Sequence, residues 1–238
     1  MSGGQDSTRP SNGGSRHWRP GTRVERLRAS QSYASVLVLI VVTVVFLFAA
    51  PTEKWSLSVN VLLGSAMLAV AIRAAGVGKA RPALALFAVG AMIAVAQLGV
   101  DRRTVTGVVW FMDVAFVAAT IVVIGLGVID QREINRKSIS GAVCVYLLLG
   151  ILFTFAYGGL ATLGSGDFFA QGTDGTIADR VYFSYVTLAT LGYGDYTAAG
   201  SLGRALSISE ALLGQLYLVT IVALLVGRFG QRKESFGS

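Results

Sequence analysis

Six apolar runs dominate the chain, at residues 33–50, 55–72, 82–100, 108–129, 139–160 and 202–226. A helix rising 1.5 Å per residue needs about 20 such residues to cross a hydrocarbon core ~30 Å thick. Each run comes close to that length or exceeds it. Lipid offers no partner to an open backbone amide or carbonyl, so runs of this kind must pair their backbone internally, as helices. The turns between them are short and charged. The expected class is an all-α membrane protein with six transmembrane helices. The composition, 53% hydrophobic and 14% charged, excludes an ordinary soluble domain.

The charges set the expected orientation. With the N-terminus placed in the cytoplasm, 15 of the 20 Lys and Arg residues fall on inner segments and five on outer ones: Lys54, Arg102, Arg103, Arg180 and Arg204. Both termini are then cytoplasmic. The net charge of +7 therefore reports topology, and nucleic acid is not an expected partner. Residues 1–32, rich in Gly, Ser and Arg, read as a disordered cytoplasmic tail. Its Arg16, Arg19, Arg23, Arg26 and Arg28 either meet anionic lipid or only set topology; their placement fits both equally. The long charged stretch and the lack of a small-x-small site at 48–50 argue for a retained first helix. The remaining boundaries are a four-helix bundle over 33–130, a cytoplasmic linker over 131–138, a pore module over 139–230 and a short tail over 231–238. The only cysteine, Cys144, lies inside an apolar run, which excludes an intrachain disulfide and a cysteine-cluster metal site. It reads as a small buried hydrophobe.

Between the last two runs the pattern changes. Residues 164–175 are rich in Gly and Asp and read as an outer loop. Residues 177–189 are amphipathic but too short to span, so they predict a re-entrant helix. Asp179 suits the positive end of its dipole. Thr190, Leu191, Gly192, Tyr193, Gly194 and Asp195 follow. Glycine holds backbone conformations closed to other residues, so alternating glycines let successive carbonyls point the same way. A ring of carbonyls can replace the water around a bare cation. One strand cannot encircle an ion, so several chains must meet. Asp167, Asp174, Asp179 and Asp195 would surround the outer mouth and concentrate cations.

This stretch resembles the selectivity filter of potassium channels, T-V-G-Y-G followed by Asp, with Leu191 standing where that family has Val. The resemblance implies a homotetramer. It also implies K+ bound by the backbone oxygens of Thr190, Leu191, Gly192 and Tyr193, with the Thr190 hydroxyl lowest, and no organic cofactor. Gly214 lies eleven residues after Gly203, where the family has an inner-helix hinge; close helix packing explains a membrane glycine equally well. Gln215, Leu218, Val222 and Val226 share a helical face and would line the cavity and inner gate. The motifs cover residues 139–230. Over 33–130 the likeness rests on topology alone.

Several positions depart from the family. One bacterial relative carries a glutamate four residues before the first filter Thr; here that position is Val186. Tyr182 is the expected donor to Asp195 instead. Glu210 lies within the sixth run, about 140° around the helix from Gln215 at 100° per residue. It is expected behind the filter, protonated because desolvation disfavours its charge, and hydrogen-bonded to Ser184 or Thr187. No Lys or Arg occurs between Arg103 and Arg132, so the fourth run offers no gating charge. Its Asp113 is expected to pair with Arg102 or Arg103. The chain thus reads as a potassium-selective channel with a sensor-like bundle but no charged voltage sensor. The alternative is a non-conducting membrane sensor or accessory subunit on the same scaffold. A secondary transporter would show broken helices in both halves, and only one is present. No catalytic constellation appears.

Overall fold

The computed structural model describes residues 32–49, 54–74, 103–129 and 136–234. The apolar run at 82–100, the basic tail, Arg102, most of the linker and the Val226 side chain lie outside the described residues. Six helices are present among them: α1 (Ser32–Ala49), α2 (Lys54–Ala74), α3 (Arg103–Ile129), α4 (Arg136–Leu163), α5 (Ile177–Leu188) and α6 (Ser201–Glu234). There is no described sheet, only isolated bridges from Phe169 to Thr173 and to Ala198. Three helices are long and apolar enough to cross a membrane, through Val109–Val128, Ser138–Leu163 and Ser201–Leu224. Shorter apolar helices occupy Tyr33–Ala49 and Ser58–Ala74.

Side-chain period decides which face each helix buries. On α1, Tyr33, Val36, Ile40, Thr43 and Leu47 are buried, at spacings of three and four. The opposite face exposes Val38, Val41, Val45 and Phe48. An exposed face this apolar fits lipid or another protein surface, not water.

Helices α3 and α4 form an antiparallel hairpin whose backbones approach closely at glycines. Gly107 meets Leu163, Gly158 meets Trp110, Gly159 meets Phe111, and Gly141 meets Val128. At Gly158 an added Cβ would lie 2.8 Å from the Trp110 ring. Small residues supply this intimacy where hydrophobic burial cannot drive helices together. The hairpin packs α3 against α4 along most of their length. Cys144 is fully buried on α4, its thiol 3.8 Å from the Tyr33 carbonyl of α1.

Helix α4 serves as the post for the elements that follow. Tyr185 of α5 donates to the Leu147 carbonyl at 2.7 Å, and Tyr217 of α6 donates to the Ala142 carbonyl at 2.7 Å. Gly150 leaves room for the Tyr185 ring. Beneath the loop after α4, Phe168 and Phe169 pack with Tyr157, Phe183 and Tyr196. The loop is therefore anchored by an aromatic cluster.

Asp113 is fully buried within α3, beside Gly64 of α2, and neither carboxylate oxygen has a hydrogen-bond partner among the described residues. Arg103 opens the same helix ten residues earlier, and its side chain lies outside the described residues. The expected pairing with Arg102 or Arg103 therefore falls outside the described residues.

Candidate functional site

Helix α5 begins where its sequence supplies a cap. The Thr176 hydroxyl accepts the Asp179 N–H at 3.2 Å, and the Asp179 carboxylate accepts the Thr176 N–H at 2.7 Å. This reciprocal capping box satisfies two of the amides a helix start leaves open. Burial alone would raise the Asp179 pKa; the hydrogen bonds from Thr176, with the Tyr196 hydroxyl and the neighbouring Arg180 charge, together outweigh it and hold the carboxyl below its ordinary range. Arg180, nearly buried, donates to the carbonyls of Asp174 and Gly175 at 2.8 and 3.0 Å and lies 5.4 Å from the Trp110 ring centre. The start of α5 is thus tied to the loop and to α3. Three of the four outer acids have local partners. Asp174 accepts the Phe168 N–H, Asp179 the cap and Asp195 the groups given below, so these acids order the loop and the ends of α5.

The other end of α5 runs into the Thr190–Asp195 segment. Leu191 N–H donates to the Val186 carbonyl at 2.9 Å and Thr190 N–H to the Thr187 carbonyl at 2.9 Å. The amides turn back onto the helix. Backbone φ is positive at every second residue: 57° at Thr190, 53° at Gly192 and 81° at Gly194. Alternation of hand turns successive peptides the same way, which lines up their carbonyls. Glycine accepts this without cost, whereas β-branched Thr190 carries a strain of about 1–2 kcal/mol. No described group donates to the carbonyls of Thr190, Leu191, Gly192 or Tyr193. The whole segment is exposed in the single chain, Tyr193 at 67%. The Leu191 side chain lines an apolar groove with Ile40, Val44 and Phe48 of α1 and Tyr185 and Val186 of α5.

Asp195 is fixed from two sides. The Tyr182 hydroxyl donates to Oδ2 at 2.8 Å and the Tyr196 N–H to Oδ1 at 3.1 Å. The Tyr182 phenol is pushed above its ordinary pKa, chiefly by that hydrogen bond to Asp195. Its ring stacks on Tyr193 with centroids 6.5 Å apart.

Glu210 of α6 is fully buried behind α5. Its Oε1 lies 2.5 Å from the Ser184 hydroxyl and its Oε2 accepts the Tyr157 hydroxyl at 2.6 Å. Of the two α5 hydroxyls considered, Ser184 is the partner and Thr187 is not. Thr187 is one turn nearer the filter-like segment and about 60° around α5, and it contributes its backbone carbonyl to Thr190. One turn below Glu210, Gly214 touches the Leu188 carbonyl at the end of α5, so closely that a Cβ would overlap it. Helix α6 is continuous through this point. The structure thus gives Gly214 a packing role, and a hinge is not needed to explain it. Gln215, Leu218 and Val222 are exposed, off the buried edge formed by Glu210 and Gly214.

Sequence reasoning missed Thr176, Arg180 and Tyr157. The T-x-x-D spacing at 176–179 carried a readable capping signal. Nothing local distinguishes Tyr157 from any aromatic in an apolar run.

Residues 160–231 match a family model described as ion channel. That segment contains the end of α4, the loop, α5, the filter-like strand and most of α6. No curated protein and no solved structure matched the chain.

Proposed function

We propose that this chain, ion-channel-like over residues 160–231, is one subunit of a homotetrameric, potassium-selective membrane channel. The observation that carries the reading is the alternating positive φ at Thr190, Gly192 and Gly194 on an exposed strand whose amides are tied back to α5. Irregular backbone at membrane depth is tolerable only when it is buried in protein or lines water. Four copies meeting at this strand would enclose it, with open carbonyls facing the axis. Those oxygens would take the place of the hydration shell of K+, and Asp195, held by Tyr182, would sit at the outer mouth. The C-terminal end of α5 presents the negative end of its dipole toward the cavity and favours a cation there. Gln215, Leu218, Val222 and Val226 would line the inner pore. All six apolar runs would span, with both termini in the cytoplasm of a cell membrane.

The bundle carries no gating arginine on α3, so it serves as a scaffold and not as a charged voltage sensor. The test is cation flux into vesicles holding the purified protein. Rapid K+ uptake with Na+ excluded is the expected result. Equal passage of both ions overturns selectivity, and no passage of any cation favours the accessory-subunit reading.

A further inference from the structure

Three helices meet at one carboxyl. Glu210 of α6 faces Ser184 of α5 and Tyr157 of α4, and all three side chains are fully buried. The hydrogens can be counted. The Ser184 oxygen lies 2.7 Å from the Gly150 carbonyl and 2.5 Å from Glu210 Oε1. Both contacts have hydrogen-bond length, so two hydrogens are required. Ser184 supplies one and a carbonyl supplies none. The second must come from Glu210. Tyr157 spends its own hydrogen on Oε2 at 2.6 Å and leaves its ring among Phe153, Phe168 and Phe183. No described cation is bonded to Glu210; its hydrogen-bond partners are the Ser184 and Tyr157 hydroxyls. An unpaired buried carboxylate would be costly in such a place, which agrees with the hydrogen count.

We infer that Glu210 is a positioning residue, held as a neutral acid, that latches α6 to α5 and α4 behind the filter and sets the filter's conformation. Hydrogens run one way, from Glu210 to Ser184 to the Gly150 carbonyl, while Tyr157 donates to Glu210. The latch grips α5 at Ser184, and the Gly214–Leu188 contact grips it again one turn later. The segment between these grips includes Val186 and Thr187, the two carbonyls that anchor Leu191 and Thr190. A shift of α6 therefore reaches the filter through two fixed points. This inference rests on the channel reading for its effect on ions, but the protonation and the latch can be tested without it.

The experiment uses the full chain in lipid. Infrared spectra are taken for the parent, Glu210→Gln and Glu210→Leu, with Asp113 intact in all three as a constant background. The protonated-carboxyl stretch should lose one component in both variants. No loss would mean that Glu210 is ionised, and it overturns the inference. Gln can donate to Ser184 and accept from Tyr157, so Glu210→Gln should keep the parent's Na+ exclusion. Leu fills the space but bonds to neither, so Glu210→Leu should raise relative Na+ permeability about tenfold, the scale of one lost buried hydrogen bond. Tyr157→Phe and Ser184→Ala should shift it in the same direction. Unchanged selectivity in Glu210→Leu overturns the latch. If the parent conducts no ion, the channel reading fails instead, and thermal unfolding decides the latch: Glu210→Leu must lower the midpoint and Glu210→Gln must not.

Discussion

Replacing Gly214 with alanine sets two readings of one residue against each other by sign. If Gly214 is only a hinge, Ala straightens and strengthens α6, because Ala is favoured over Gly in a helix interior by about 1 kcal/mol. The variant would then unfold at a higher temperature. The packing says otherwise. A Cβ on Gly214 would overlap the Leu188 carbonyl oxygen and stand 2.9 Å from Leu188 Cδ1. The side-chain carbon can rotate away. The oxygen belongs to the last turn of α5 and cannot. A carbon and a carbonyl oxygen settle at about 3.3–3.6 Å, so one backbone must retreat by about an ångström. Overpacking of this kind costs about 1–3 kcal/mol. With a rigid obstacle, the upper half of that range applies. After the helix-propensity gain, a net loss of about 1–2 kcal/mol remains. The assay is thermal unfolding of the purified chain in detergent, with K+ over Na+ selectivity measured in parallel. A lowered midpoint together with weakened selectivity is expected, since the displaced carbonyl sits two residues before Thr190. A raised midpoint with parental selectivity refutes the packing argument.

Gly192→Ala should abolish K+ flux while the chain still folds and associates, because φ is +53° there and no neighbour lies where the Cβ would go; size-exclusion chromatography beside the flux assay checks both halves. Thr176→Ala removes the cap and should lower the unfolding midpoint by an amount matching about 0.5–2 kcal/mol. The same cap should weaken in acid. The Asp179 pKa is depressed on folding, so its contribution is present above the unfolded value and is lost as pH falls through the folded one. Opening should depend weakly on voltage, since α3 has no basic residue beyond Arg103; a conductance–voltage curve reporting several charges per subunit contradicts this.

Backbone chemistry and spacing were legible in the chain itself. Run length points to helices, and five of the six apolar runs are helical among the described residues, the run at 82–100 lying outside them. The period along 33–49 already separates the face that ends up buried at Val36 and Ile40 from the one that stays exposed at Val41 and Val45. Glycines two apart, after a helix too short to span, point to a strand able to align its carbonyls, because that property belongs to glycine and not to its surroundings. The helical angle between Glu210 and Gln215 likewise separated the acid, which is buried, from Gln215, which is exposed. Partner choice was a different matter. Ser184 and Thr187 are alike in type, and only the packing of α6 on α5 brings Ser184 to Glu210. Tyr157 is 53 residues from Glu210 in sequence and joins it only because α4 stands beside α6. Gly214 could bend or pack, and the carbonyl of Leu188 lying against it decided for packing. Asp113 offers no such reading from sequence: its burial beside Gly64 of α2, without a hydrogen-bond partner among the described residues, comes only from how α2 and α3 pack. Hydrogen bonds and close contacts depend on separations of a few tenths of an ångström between elements. Sequence spacing fixes direction within one helix and leaves those separations to the tertiary structure.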